Sequence, residues 1–97
     1  MKTGSTDIEK RLKELKPFLA KEYHVERIGY FGSFALGTEG DDSDIDIVID
    51  LKEPLGWDFV NLKLFLEKEL NRPVDIVTRK ALKKQLKNKI LSQTRFV

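Results

Sequence analysis

Asp44 and Asp46 stand two residues apart in the run Asp44-Ile45-Asp46-Ile47-Val48-Ile49-Asp50. Alternation of this kind predicts a strand with Ile45, Ile47 and Ile49 on one face and both carboxylates on the other. Like charges that close repel unless water reaches both or a cation lies between them. A third carboxylate, Asp75, sits in Val74-Asp75-Ile76-Val77, an apolar setting where a surface aspartate is out of place. If that segment pairs beside the first with the same face exposed, three carboxylates converge. Such a site can hold two Mg²⁺ ions about 3.5–4 Å apart for in-line phosphoryl transfer. Asp75 is then also the natural proton acceptor. The chain has no cysteine and a single histidine, His24, so any metal site must be built from oxygen, which suits magnesium, manganese or calcium.

The second half of the chemistry is Gly32-Ser33. A glycine lets backbone approach a phosphate closely, and N–H groups at a turn that opens a short helix attract anions. Ser33 can cap that helix or donate its hydroxyl to a phosphate oxygen, and Gly37 ends the helix.

Positioning these groups requires a small set of elements. Residues 6–21 predict an amphipathic helix with Ile8, Leu12, Leu15 and Leu19 on one stripe, a capping box from Thr6 to Glu9, and Pro17 as a bend or early stop. Val25 to Phe31 reads as a strand, Ser33 to Gly37 as a turn or short helix, and Thr38 to Ser43 as a polar loop. After the Asp44–Leu51 strand, Pro54 and Gly56 break the chain. Trp57 to Leu70 predicts a helix with Phe59, Leu62, Leu66 and Leu70 inward, Val74 to Thr78 a short strand, and Lys80 to Gln93 a basic helix seamed by Leu82, Leu86 and Ile90. The order α-β-(α)-β-α-β-α describes an α/β (α+β) fold: a small mixed sheet flanked by helices, in one domain over residues 1–97.

No apolar run approaches the ~20 residues of a membrane span, and no apolar signal segment follows Met1, which predicts a soluble, cytoplasmic protein. The formal net charge of +2 makes no case for nucleic acid by itself. Its distribution is uneven. Seven basic and no acidic residues lie between Arg79 and Arg95, whereas Glu39, Asp41, Asp42, Asp44, Asp46 and Asp50 crowd the centre. An acidic centre beside a basic tail suits metal plus polyphosphate, although the basic run alone reads as a solvated helix face.

Gly32-Ser33, ten intervening residues and Asp44-Ile45-Asp46 together resemble the Gly-Ser-x10-Asp-x-Asp signature of the polymerase-β-like nucleotidyltransferase superfamily. Within it the chain is similar to the minimal nucleotidyltransferases, the MntA-like antitoxins. The similarity runs through Tyr30-Phe31-Gly32-Ser33-Phe34-Ala35, Ser43-Asp44-Ile45-Asp46 and Val74-Asp75-Ile76-Val77. The resemblance implies transfer of AMP from ATP to a tyrosine of a HEPN-type ribonuclease toxin. It assigns nucleotide phosphates to Gly32 and Ser33, both metals to Asp44 and Asp46, and completion of the site to Asp75. One position departs: Leu36 stands where many relatives carry arginine, which leaves Lys52, Arg79 or Lys80 to supply that charge.

Asp42, Asp44, Asp46 and Glu53 mimic the spacing of an EF-hand calcium loop, but Ile47 occupies the position that needs glycine. Asp41 and Asp42 read as solvated loop residues, Asp50 as outside the site, and His24 as a boundary residue. Trp57, Phe59 and Phe65 read as core or partner-facing aromatics. Two further functions compete with protein adenylylation: an antitoxin that binds its toxin without catalysis, and nucleotidyl transfer to a small molecule or RNA using a partner subunit or a homo-oligomer.

Overall fold

The computed structural model describes residues 5–38, 40 and 44–97, with the side chains of Ser5 and Thr6 outside that description. Helix α1 (Ser5–Tyr23) leads into β1 (Val25–Phe31) and the short α2 (Ser33–Leu36). Strand β2 (Ile45–Leu51), helix α3 (Asp58–Leu70) and strand β3 (Val74–Thr78) follow. A 3-10 turn at Arg79–Ala81, helix α4 (Lys84–Gln93) and strand β4 (Arg95–Phe96) complete the order. The predicted mixed sheet is present, in the order β3-β2-β1-β4. Strands β1 and β2 pair antiparallel, as do β1 and β4, while β2 and β3 run parallel through the α3 crossover.

One face of this sheet carries the core. The predicted stripe of α1 is fully engaged: Ile8, Leu12 and Leu19 are inaccessible and Leu15 nearly so. They meet Leu62, Leu66 and Leu70 of α3 over Ile28, Tyr30, Ile45, Ile47, Ile49 and Val74. Burial of side chains this size stabilises by about 1.5–3 kcal/mol each, which explains why α1 runs on through Pro17. Its lost hydrogen bond would have reached the carbonyl of Lys13, and both residues lie on the exposed side of the helix. Pro17 therefore neither ends nor shortens α1. Its end comes at His24, whose φ of 55° turns the chain into β1. The Thr6–Glu9 capping box lies outside the described side chains.

The C-terminal third departs from expectation. The single helix predicted over Lys80–Gln93 is broken, because Leu82 and Lys83 adopt extended backbone (ψ 132° and 140°). The Thr78 hydroxyl caps the preceding turn by accepting from the Ala81 N–H at 3.2 Å. The proposed apolar seam is not buried, and Leu86 is 48% exposed. Instead, the chain beyond α4 adds an unforeseen strand, β4, to the edge of β1. That docking depends on Gly29: a Cβ there would stand 2.7 Å from Thr94 Cγ2 and 2.9 Å from the Arg95 carbonyl. Trp57, predicted to start α3, precedes it and is 91% exposed.

Candidate active site

The face of the sheet opposite the core carries the acids, and the strand register decides which of them meet. Asp46 is the direct partner of Asp75 across the parallel β2–β3 ladder. Directly paired residues point to the same side, so both carboxylates leave one face. Asp44 immediately precedes β2 and is exposed, as is Asp75, whereas Asp46 is half-buried. The Asp46 carboxyl is held above the usual carboxylate range, first by its burial and then by the negative charges of Asp75 and Asp44. Asp46 thus feels the charge of both other carboxylates. Among the described residues no three acidic groups are gathered tightly enough to chelate an ion as they stand. The cluster is therefore a shared acidic face, not a closed cage. Its donors are all carboxylate oxygens, its central member carries mutual repulsion, and its outer members are open to solvent. That combination fits a hard divalent cation entering from water.

Gly32 closes the other side. It follows Phe31, itself the register partner of Asp46 on β1. Its φ of 70° and ψ of −147° belong to a region essentially reserved for glycine. A Cβ at Gly32 would fall 2.3 Å from Asp46 Oδ2. Two independent constraints, backbone conformation and space, therefore demand glycine here. Ser33 does not cap α2 as anticipated: Gly32 is the N-cap, its carbonyl accepting from Ala35 and Leu36 (3.1 and 3.0 Å), and Ser33 is the first helical residue. Gly37, with φ 74°, ends α2 as expected. The five residues singled out in the sequence, Gly32, Ser33, Asp44, Asp46 and Asp75, are thus brought to one end of the sheet.

The opposite end of the same face is differently built. Asp50, four residues along β2 from Asp46, bonds through Oδ1 to Arg79 Nε at 3.0 Å. Between them Val48 is inaccessible. An open cleft of about 950 Å³ lies at this end, lined in part by Lys52, Arg79 and Lys80. These are the three cations considered as substitutes for an arginine at position 36. Lys52 lies six residues beyond Asp46, about 20 Å along an extended strand. That expectation is corrected: all three cations serve the far end of the sheet.

A cation that does lie at the acidic end is one that spacing did not single out. Arg72 places its guanidinium carbon 5.2 Å from the centroid of the Phe34 ring, in the helix that Ser33 opens. Its Nη1 donates to the Gly40 carbonyl at 3.4 Å. The signal available in sequence was its position, three residues before Asp75.

A model of the nucleotidyltransferase domain matches residues 10–97. The chain belongs to that family. It is 35% identical over 92 residues to the protein adenylyltransferase MntA of Thermococcus cleftensis, spanning 94% of this chain and 93% of that one. A solved structure provisionally named a minimal nucleotidyltransferase superimposes with a TM-score of 0.82 at 29% identity, covering 96% of this chain and 95% of the other. A chain from a crystal structure of a toxin–antitoxin with AMP-PNP matches with a TM-score of 0.70 at 25% identity, over 97% of this chain and 72% of that chain. The polymerase-β-like architecture implied by the resemblance is the observed one. This nucleotidyltransferase has no described helix long and apolar enough to cross a membrane.

Proposed function

We propose that this nucleotidyltransferase transfers AMP from ATP to a tyrosine hydroxyl of a HEPN-type toxin partner and silences it. The observation that carries this reading is the Asp46–Asp75 register pairing, with Gly32 pressed against Asp46. Support for the acceptor class comes from the adenylyltransferase relative and the toxin–antitoxin neighbour.

In this reading Asp44 and Asp46 hold two magnesium ions and Asp75 completes the set. Held there, magnesium would supply positive charge that stabilises the α-phosphate and the departing pyrophosphate. Gly32 backbone and the Ser33 hydroxyl hold the β- and γ-phosphates and fix the α-phosphorus for in-line attack. Asp75 takes the proton from the acceptor hydroxyl. The tyrosine oxygen–phosphorus bond forms as the bond from the α-phosphorus to its bridging oxygen breaks, and pyrophosphate carries away the electron pair. The outward position of Asp44 and Asp75 leaves the acceptor free to approach from solvent.

The test is transfer of labelled AMP to the cognate toxin in ATP and magnesium. Wild-type chain is expected to label it, and the Asp44→Asn, Asp46→Asn double variant is not. An unmodified toxin with wild-type chain overturns the proposal.

Leu36 favours a second reading. It is 59% exposed in α2, where an arginine would carry charge toward the phosphates, and Lys52, Arg79 and Lys80 lie elsewhere. An antitoxin acting by occlusion alone needs no such charge. If the double asparagine variant still protects cells that express the toxin, binding suffices.

A further inference from the structure

The turn between α3 and β3 does more than reverse the chain. Asn71 closes α3 in the left-handed region with φ 55°. Pro73 then accepts from the Ile45 N–H at 2.9 Å, at the first residue of β2. Val74 N–H donates to Glu67 Oε2 at 3.0 Å, tying the start of β3 back to α3. Immediately before these two anchored residues, Arg72 reaches out to the two halves of the nucleotidyltransferase motif. One contact is the face of Phe34, which directly follows Ser33 and is 1% exposed. The other is the carbonyl of Gly40, in the connection that delivers Asp44 and Asp46.

We propose that Arg72 is a positioning residue for nucleotidyl transfer: its guanidinium latches the Gly32-Ser33 turn to the loop leading into the Asp44–Asp46 strand. The inference rests on the function proposed above. These two contacts suit a planar group, a ring against its face and a carbonyl hydrogen bond at its edge, which the tetrahedral ammonium of lysine does not reproduce. Through these two contacts Arg72 acts on distance and orientation. The phosphate-holding turn lies on the β1 side of β2 and Asp75 on the β3 side, and a slip of one half against the other would misplace the triphosphate relative to the carboxylates. Misplacement of about 1 Å at such a site costs on the order of 10²-fold in rate.

The experiment compares Arg72→Lys and Arg72→Ala with wild type in two measurements. One is steady-state AMP transfer with ATP varied. The other is amide hydrogen exchange at Phe34, Gly40 and Asp44 in the nucleotide-free protein, with melting temperature recorded alongside. A latch predicts faster exchange at these amides in both variants, and kcat lowered by about 10²-fold with little change in KM for ATP. Arg72→Lys keeps the charge and the aliphatic stem and serves as the folded control.

Wild-type kcat in Arg72→Lys overturns the latch, because charge alone would then suffice. A raised KM with unchanged kcat overturns it too, because Arg72 would be gripping substrate uniformly. Should wild type transfer no AMP, the exchange arm still decides. Faster exchange in folded Arg72→Ala sustains the latch while the transfer reading fails, and unchanged exchange removes it.

Discussion

Two aspartates four residues apart on one strand show how the same side chain is put to different ends. Asp50 has a partner: Arg79 neutralises it, and its side chain is only 13% exposed. Asp46 has neighbours of its own sign, and its carboxyl is driven above the ordinary range by burial and by Asp75 and Asp44. A chain optimised for stability alone would treat both ends of β2 like Asp50. Unrelieved repulsion at the Asp46 end is the kind of local cost that functional sites carry.

The comparison breaks most visibly in catalysis. Asp46→Asn should lower AMP transfer by at least about 10³-fold, the order lost when a transition-state charge stabiliser is removed. Asp50→Asn should leave the rate near that of wild type in the same labelled-ATP assay. Comparable losses from both would erase the distinction.

Gly32→Ala comes next. It forces a β-carbon into left-handed backbone and onto Asp46 Oδ2. Strain of about 1–3 kcal/mol is expected, read as a lower urea midpoint, together with loss of transfer. A Gly37→Ala control shares the positive φ but has nothing within 4 Å of its added Cβ. It should cost stability without a comparable loss of activity.

Arg79→Ala sharpens the other end. It leaves the mostly buried Asp50 carboxylate without its ion pair, and partial exposure of Arg79 tempers the effect. A loss of about 1 kcal/mol is expected, visible as a lower melting temperature with transfer retained.

The smallest effect is opposite in sign. In metal-free protein Asp46→Asn should raise the melting temperature at neutral pH, because it removes a charge that is half-buried and repelled by Asp75 and Asp44. Since the folded Asp46 carboxyl lies above its unfolded value, the folded state holds the extra proton between the two. Wild-type stability therefore falls as pH rises through that window and is lowest above it. The advantage of Asp46→Asn should vanish below the ordinary carboxylate range. An advantage that persists there would mean that the Asp46 charge is not its source.

Much of this could be read in advance because it depends on local periodicity. Ile8, Leu12, Leu15 and Leu19 recur at helical spacing, and Ile45, Ile47 and Ile49 alternate, so the buried faces of α1 and β2 were legible without coordinates. The basic C-terminal helix was over-read for the same reason. Leu82, Leu86 and Ile90 satisfy a helical stripe, but Thr78 capping and the pull of β4 onto Gly29 settle that segment differently. A two-residue edge strand such as Arg95–Phe96 has no period to detect.

The amino-acid sequence by itself determined the pairing of Asp44 with Asp46, the restriction of any metal site to oxygen ligands, and the glycine-serine turn that ten residues separate from Asp44. These follow from side-chain type and the two-residue repeat of a strand. Only the tertiary structure decided that Asp75 joins them, because a one-residue change of parallel register would have turned its carboxylate to the core. Tertiary structure also sent Lys52, Arg79 and Lys80 to the far end of the sheet and brought Arg72 to the near one. Which cation serves a site depends on where strands end in space, and separation along the chain carries no record of that.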